Sequence, residues 1–248
     1  MKKIIFIGLL SFLAAALWQL PLSFANPYIE KYAKGIKLKD VSGTVWNGEA
    51  KHLIANNIDF EKVTWNVKPL QSITSLSLKF NFDIQGHDLT AKGLAGLTPG
   101  KTLILDKTQF DLNASYLNKQ QRFAKLSGDI KGNIKHAELN QKDLPIVNGI
   151  IDWKEAAINS PIKLAQGDYH AVFTPESGDM NIKLTSSDAP MELAGVIKLN
   201  KEWFYDTDLK VKSSDPGISS MIGMIGKKQA NGTINIKQKG DLKPFIGK

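Results

Sequence analysis

From Ile36 onward, apolar and polar residues alternate instead of recurring every three or four positions. Leu76, Leu78, Phe80, Phe82 and Ile84 are interleaved with Ser77, Lys79, Asn81 and Asp83. In an extended chain successive side chains point to opposite faces, so this spacing predicts a strand whose five apolar residues share one inner face. Phe110, Leu112, Ala114 and Tyr116 repeat the pattern against Asp111, Asn113 and Ser115, and shorter versions occur at Ile182/Leu184, Leu209/Val211 and Ile234/Ile236. One segment departs from it. Between Pro216 and Ile225, residues Ile218, Met221, Ile222 and Ile225 fall on a helical face, with Asp215 placed to cap the helix and Gly226 to end it. The pattern predicts a mainly β protein built on an antiparallel sheet with one dry and one wet face. A twisted sheet of that many strands has to curl or fold over. The expected form is a long curved sheet, closed into a half-pipe or open sandwich.

Glycines punctuate the strands. Ser42-Gly43, Ser127-Gly128, Asn148-Gly149, Ala194-Gly195 and Asn231-Gly232 each precede β-favouring residues, where glycine permits a turn, a bulge or a close approach of backbones. Gly43 is followed by Trp65 and Gly128 by Trp153, at intervals of 22 and 25 residues. This reads as weak internal repetition of a β-meander within one domain spanning residues 26–248.

The first 25 residues are different. Lys2 and Lys3 precede an apolar run from Ile4 to Leu22, 19 residues long, close to the roughly 20 that cross a bilayer core. The lysines place the amino terminus on the cytoplasmic side. Ser23-Phe24-Ala25 also offers the small residues a signal peptidase inspects, so a retained anchor and a cleaved signal both fit. Either way, the chain after Asn26 lies outside the cytoplasm. Pro27 to Ala33 reads as a short juxtamembrane helix, with Asn26 as N-cap and Gly35 as its stop.

Composition then narrows the chemistry. The chain of 248 residues is 42% hydrophobic, which suits a packed core, and contains no cysteine, which removes disulfides and thiolate sites. A net charge of +8 invites a nucleic-acid reading. However, Arg122 is the only arginine among the 32 basic residues, and base and phosphate recognition favours arginine's planar fork. Lysines scattered singly along strands instead keep sheet edges from pairing with strangers and offer a weaker attraction to anionic lipid. His52, His87, His136 and His170 are far apart and show no metal-ligand spacing. No carboxylate pair, nucleophile elbow or phosphate-cradling loop stands out. The chain is read as a non-enzyme, with no catalytic residue, metal or cofactor expected.

The segment Gly43-Thr44-Val45-Trp46-Asn47-Gly48, answered by Trp65 and the Pro69-Leu70 corner, resembles the amino-terminal signature of the type II (general) secretion system protein N family. Gly149-Ile150-Ile151-Asp152-Trp153 and Leu193-Ala194-Gly195-Val196 are similar to later parts of that family. The resemblance implies a single-pass protein of the bacterial inner membrane with its main domain in the periplasm. It favours the retained anchor, and implies an accessory component of the machine that moves folded proteins across the outer membrane, with other secretion subunits as partners. Gly43, Trp46, Gly48, Trp65, Pro69 and Leu70 are the motif residues, and a structural role is expected for them. Trp46 is expected to pack in a sheet core, the other reading being an aromatic that faces a partner or lipid, and Gly48 to relieve crowding beside its ring or allow a bulge. A more distant likeness to AsmA-like periplasmic β-proteins implies an alternative in which the apolar face holds lipid acyl chains.

Overall fold

The computed structural model describes residues 7, 11–12, 15–32, 35–55, 58–119, 124–140, 142–160 and 164–246. The chain divides into two compact units, Met1–Leu94 and Ala95–Lys248, and is mainly β with antiparallel ladders. No helix among the described residues is long and apolar enough to cross a membrane. Much of the expected span from Ile4 to Leu22 lies outside the described residues.

The first unit begins with α1 (Leu22–Tyr32), followed by β1 (Ile36–Gly43), β2 (Asn47–Ala55), β3 (Ile58–Asp59) and β4 (Lys62–Val67). Next come a short helix, α2 (Pro69–Ser75), then β5 (Leu78–Gln85) and β6 (Leu89–Leu97), most of which belongs to this unit. The strand order is β1-β2-β4-β5-β6, with β3 paired to β2.

Two sequence expectations are corrected here. The juxtamembrane helix starts at Leu22, not Pro27, so Pro27 lies inside it. Asn26 does not cap it; its Nδ2 donates to the Leu38 carbonyl at 3.1 Å, tying the helix to β1. Leu22, which the apolar run assigned to the bilayer, is fully buried. The second correction concerns Leu76. It is the C-cap of α2 in the left-handed conformation, with φ of 50°, and is 80% exposed. The strand starts two residues later. Ser72 decides this: its Oγ donates to the Lys68 carbonyl at 2.8 Å and accepts the Lys79 amide at 2.9 Å. That clamp closes a helical turn just where the alternation called for extended chain. Ser77 is buried in place of Leu76.

The second unit contains β7 (Leu103–Asn113), a 3-10 turn (Ala114–Lys119), β8 (Lys125–Leu139), β9 (Ile146–Ser160), β10 (Leu164–Glu176), β11 (Asp179–Ser187), β12 (Met191–Leu199) and β13 (Phe204–Ser213). Helix α3 (Pro216–Gly223), β14 (Lys227–Lys228), β15 (Ile234–Asp241) and α4 (Lys243–Ile246) complete it. The strands run in sequence order except that β15 inserts between β13 and β14. Strand β7 stops at Asn113, whose Oδ1 accepts the Ser115 amide at 3.0 Å. Ala114 and Tyr116 are therefore buried in a 3-10 turn and not at the end of a strand.

Register turns the alternation into two surfaces. Phe110, Gly132, Ile151, Ala171, Leu184, Gly195, Leu209 and Ile236 stand opposite one another in a row across eight strands. One residue along, the row reads Asp111, Lys131, Asp152, His170, Thr185, Ala194, Lys210 and Asn235. The second row points the other way, and polar partners meet in it: Lys131 pairs with Asp111 at 3.0 Å, and His170 Nδ1 lies 2.6 Å from Asp152. Cross-strand pairs of this kind stabilise the wet face modestly. The dry row is packed closely at its α3 end. There α3, capped by Asp215 as its sequence predicts (Ile218 N to Oδ1, 2.9 Å), sets Ile218 and Ile222 on Val211, Ile234 and Ile236. Met221 and Ile225, expected on the same helical face, stay exposed.

Candidate functional site

The family-signature residues gather at one end of the first unit. Gly43 and Gly48 face each other in register and close the β1–β2 hairpin. Within it the Thr44 amide donates to the Asn47 carbonyl at 2.9 Å, and the Asn47 amide to Thr44 Oγ1 at 3.1 Å. Gly43 sits at φ of 83°, and a Cβ there would fall 2.4 Å from the Asn47 carbonyl oxygen, so both the backbone sign and the space demand glycine.

Trp46 belongs to this loop and not to a strand core, which corrects the sequence expectation. Its ring stacks on Trp18 with centroids 5.9 Å apart and planes 16° from parallel. Its Nε1 donates to the Leu17 carbonyl at 2.7 Å. Pro21 and Thr44 form an isolated antiparallel bridge, and the Val45 amide donates to the Leu20 carbonyl at 3.1 Å. The hairpin therefore grips the amino-terminal segment on both sides of Gln19.

Trp65 takes the role that the sequence reading gave to Trp46. It lies opposite Gly48, and its Nε1 donates to the Val45 carbonyl at 3.0 Å. A Cβ on Gly48 would meet Trp65 Cζ2 at 2.5 Å. The glycine makes room for this ring, not for Trp46. Gly132 lies under Phe110 and Gly240 under Tyr205 in the same cross-strand arrangement. In each pair the aromatic ring covers the backbone that glycine leaves bare.

Downstream, Val67 N donates to the Trp46 carbonyl at 2.7 Å, and Pro69 opens α2. Leu70, Ile73 and Leu76 are 81%, 72% and 80% exposed. Of the expected inner face, Phe80, Phe82 and Ile84 are half-buried and stand across from Val67, Trp65 and Val63, whereas Leu78 is exposed. From Lys62 to Phe82 the chain carries three lysines and no carboxylate; Lys62 pairs with Glu49 at 3.3 Å.

Three histidine rings meet carboxylates, two of them across wide sequence separations. His52 Nδ1 lies 2.9 Å from Asp59, and His170 Nδ1 lies 2.6 Å from Asp152. His136 sits between Asp106 at 2.6 Å and Glu138 at 3.2 Å. The Asp106 hydrogen bond raises the His136 pKa above 6.5, against a smaller opposing effect of burial. Among the described residues no three His, Asp or Glu side chains converge as a metal site. His52–Asp59, His136–Asp106 and His170–Asp152 join neighbouring strands, whereas His136 and Glu138 both lie on β8.

A family model described as type II secretion system (T2SS), protein N, matches residues 34–237. No curated protein matches the chain, and no solved structure does. The match covers most of both units, and the chain belongs to the type II secretion system protein N family. It is accordingly a component of a type II secretion system, a class associated with the cell envelope, and its family implies contact with other subunits of that system.

Proposed function

We propose that this protein is a non-enzymatic accessory component of the type II secretion machinery, held at the inner membrane by a retained amino-terminal segment with its β units in the periplasm. The observation that carries the reading is the grip of the hairpin on that segment. Cleavage after Ala25 would strip Trp46 of its stacking partner Trp18 and of its hydrogen bond to Leu17. It would also remove Leu22, one of the two largest fully buried side chains. A signal peptide destined for removal has no reason to contribute to the fold. From Leu17 on, the run from Ile4 to Leu22 is held in this grip, so the part that enters the bilayer lies before Leu17 and the β units follow on the far side of the membrane from Lys2 and Lys3. Such a component works by holding surfaces in place for partner subunits during export of folded proteins across the outer membrane.

Mass spectrometry of the protein from the membrane fraction tests this. An intact amino terminus is expected, and a mature terminus at Asn26 rejects the anchor.

A second reading, an apolar lipid-holding face of AsmA-like type, is favoured by the dry row of the second unit. Phe110, Ile151, Ala171, Leu184 and Leu209 are only half-buried. Phospholipid that co-purifies with the protein and survives delipidating washes would support it.

A further inference from the structure

We infer that the α2 end of the first unit lies on the surface of an anionic bilayer, with Leu70, Ile73 and Leu76 inserted at the boundary between head groups and acyl chains. This rests on the inner-membrane reading above and adds a second, separate contact to it.

Leu70 and Ile73 on α2 and Leu76 at its C-cap are three large apolar side chains, each at least 72% exposed. Leu70 and Ile73, three apart on α2, share a face of it, and Leu76, the left-handed residue that ends the helix, extends the exposed run to three. Isolated exposed leucines are ordinary; a ridge of three marks an interaction surface. The helix was not driven outward by poor local structure. Pro69 occupies its first turn, the Ser72 clamp joins it to Lys68 and Lys79, and its left-handed C-cap is completed by amide bonds to the Ile73 and Ser72 carbonyls.

Charge selects the occupant. No carboxylate occurs between Lys62 and Phe82 or in the hairpin from Val41 to Gly48, while Lys68 and Lys79 flank the ridge. An apolar ridge edged by lysine and free of acid suits phosphate head groups above hydrocarbon. Position agrees. The residue before Lys68 is hydrogen-bonded to Trp46, and Trp46 stacks on exposed Trp18 of the segment proposed to enter the membrane. The ridge thus emerges at the same end of the unit as that segment. Tryptophans at this level are the usual markers of a membrane–water boundary.

The absence of cysteine permits a direct test with single labels. Full-length Ile73→Cys, His87→Cys and Phe12→Cys would each be labelled with nitrobenzoxadiazole and reconstituted in phosphatidylethanolamine/phosphatidylglycerol vesicles. His87 lies in the turn between β5 and β6, at the far end of β5 from α2, and Phe12 reports the amino-terminal segment. Nitroxide-bearing lipid is expected to quench the Ile73 label several-fold more than the His87 label, with iodide showing the reverse order. Replacing phosphatidylglycerol by phosphatidylcholine should weaken lipid quenching at Ile73 and leave Phe12 unchanged. Iodide access at Ile73 equal to that at His87 overturns the inference, and if Phe12 is still lipid-quenched the anchor stands without it. Shielding of Ile73 from both quenchers also overturns it, since protein and not lipid would then cover the ridge. Lipid quenching at Ile73 with a water-exposed Phe12 keeps the surface contact and removes the anchor.

Discussion

The indole of Trp65 occupies the space that a side chain at Gly48 would need: a Cβ there would fall 2.5 Å from Cζ2 and 2.8 Å from the Thr44 carbonyl oxygen. The same ring spends its N–H on Val45, so the hairpin that grips the amino-terminal segment is held from below by one aromatic residue.

Gly48→Ala should therefore push the ring away and weaken the Val45 bond, at a cost of about 1–3 kcal/mol. Gly223→Ala supplies the control. Nothing lies within 4 Å of its added carbon, and alanine is the better helix former by up to about 1 kcal/mol. Thermal unfolding followed by tryptophan fluorescence should show a lowered midpoint for the first substitution and an unchanged or raised one for the second. Equal midpoints would mean that Trp65 is free to move.

The Trp18–Trp46 stack predicts coupled losses. A double-mutant cycle with Trp18→Ala and Trp46→Ala should give an interaction energy of about 0.5–1.5 kcal/mol, the range for stacked aromatic pairs beyond their buried area. The single Trp46→Ala change should also make the chain more sensitive to limited proteolysis between the amino-terminal segment and α1. Strict additivity would show that the two rings do not stack in solution.

Neighbouring residues on β5 separate its two faces. Phe80→Asp puts a carboxylate opposite Val67 on a half-buried apolar face, whereas Asn81→Asp adds the same charge at an exposed position. The first is expected to cost about 1–3 kcal/mol and the second to be nearly neutral. Urea unfolding compares them. Indifference to both would remove Phe80, Phe82 and Ile84 as a packed face, while a folded Phe80→Asp protein that has lost co-purifying lipid would favour the lipid-holding reading.

His136 introduces a dependence on pH. Its folded pKa is raised above 6.5, chiefly by the hydrogen bond to Asp106. The protonated form is thus preferred in the folded chain. The stabilisation is fully present below 6.5 and is lost as pH rises through the folded value. Unfolding midpoints measured across about pH 5.5–8, the range in which histidine titrates, should fall more steeply for the native chain than for His136→Gln. Parallel curves would show that the pair contributes nothing to stability.

Much of the fold was legible in the alternation itself, because period two is a local property of an extended chain. The alternation puts Phe80, Phe82 and Ile84 on one side of a strand, but Leu76 and Leu78 of the same run are exposed, and the row through Phe110, Leu184 and Leu209 needed the register. Asp215, Ile218 and Ile222 were legible for a similar reason, since a cap and a helical stripe need only ten residues to declare themselves. The candidate site was legible in part. The sequence set Gly48 beside the Trp46 ring; which ring covers which glycine depends on the register of β2 and β4.

The order of residues was enough to establish the mainly β class, the antiparallel ladders and the absence of thiol chemistry, because these depend on composition and on neighbours along the chain. Folding was needed to establish that Trp46 grips Leu17 and Trp18, that Trp65 covers Gly48, and that Leu76 turns outward while Ser77 is buried. Folding also joined His136 to Asp106 across 30 positions. Each of these depends on strand register or on a hydrogen bond between distant segments. Alternation says which residues share a face, but leaves open what stands opposite them.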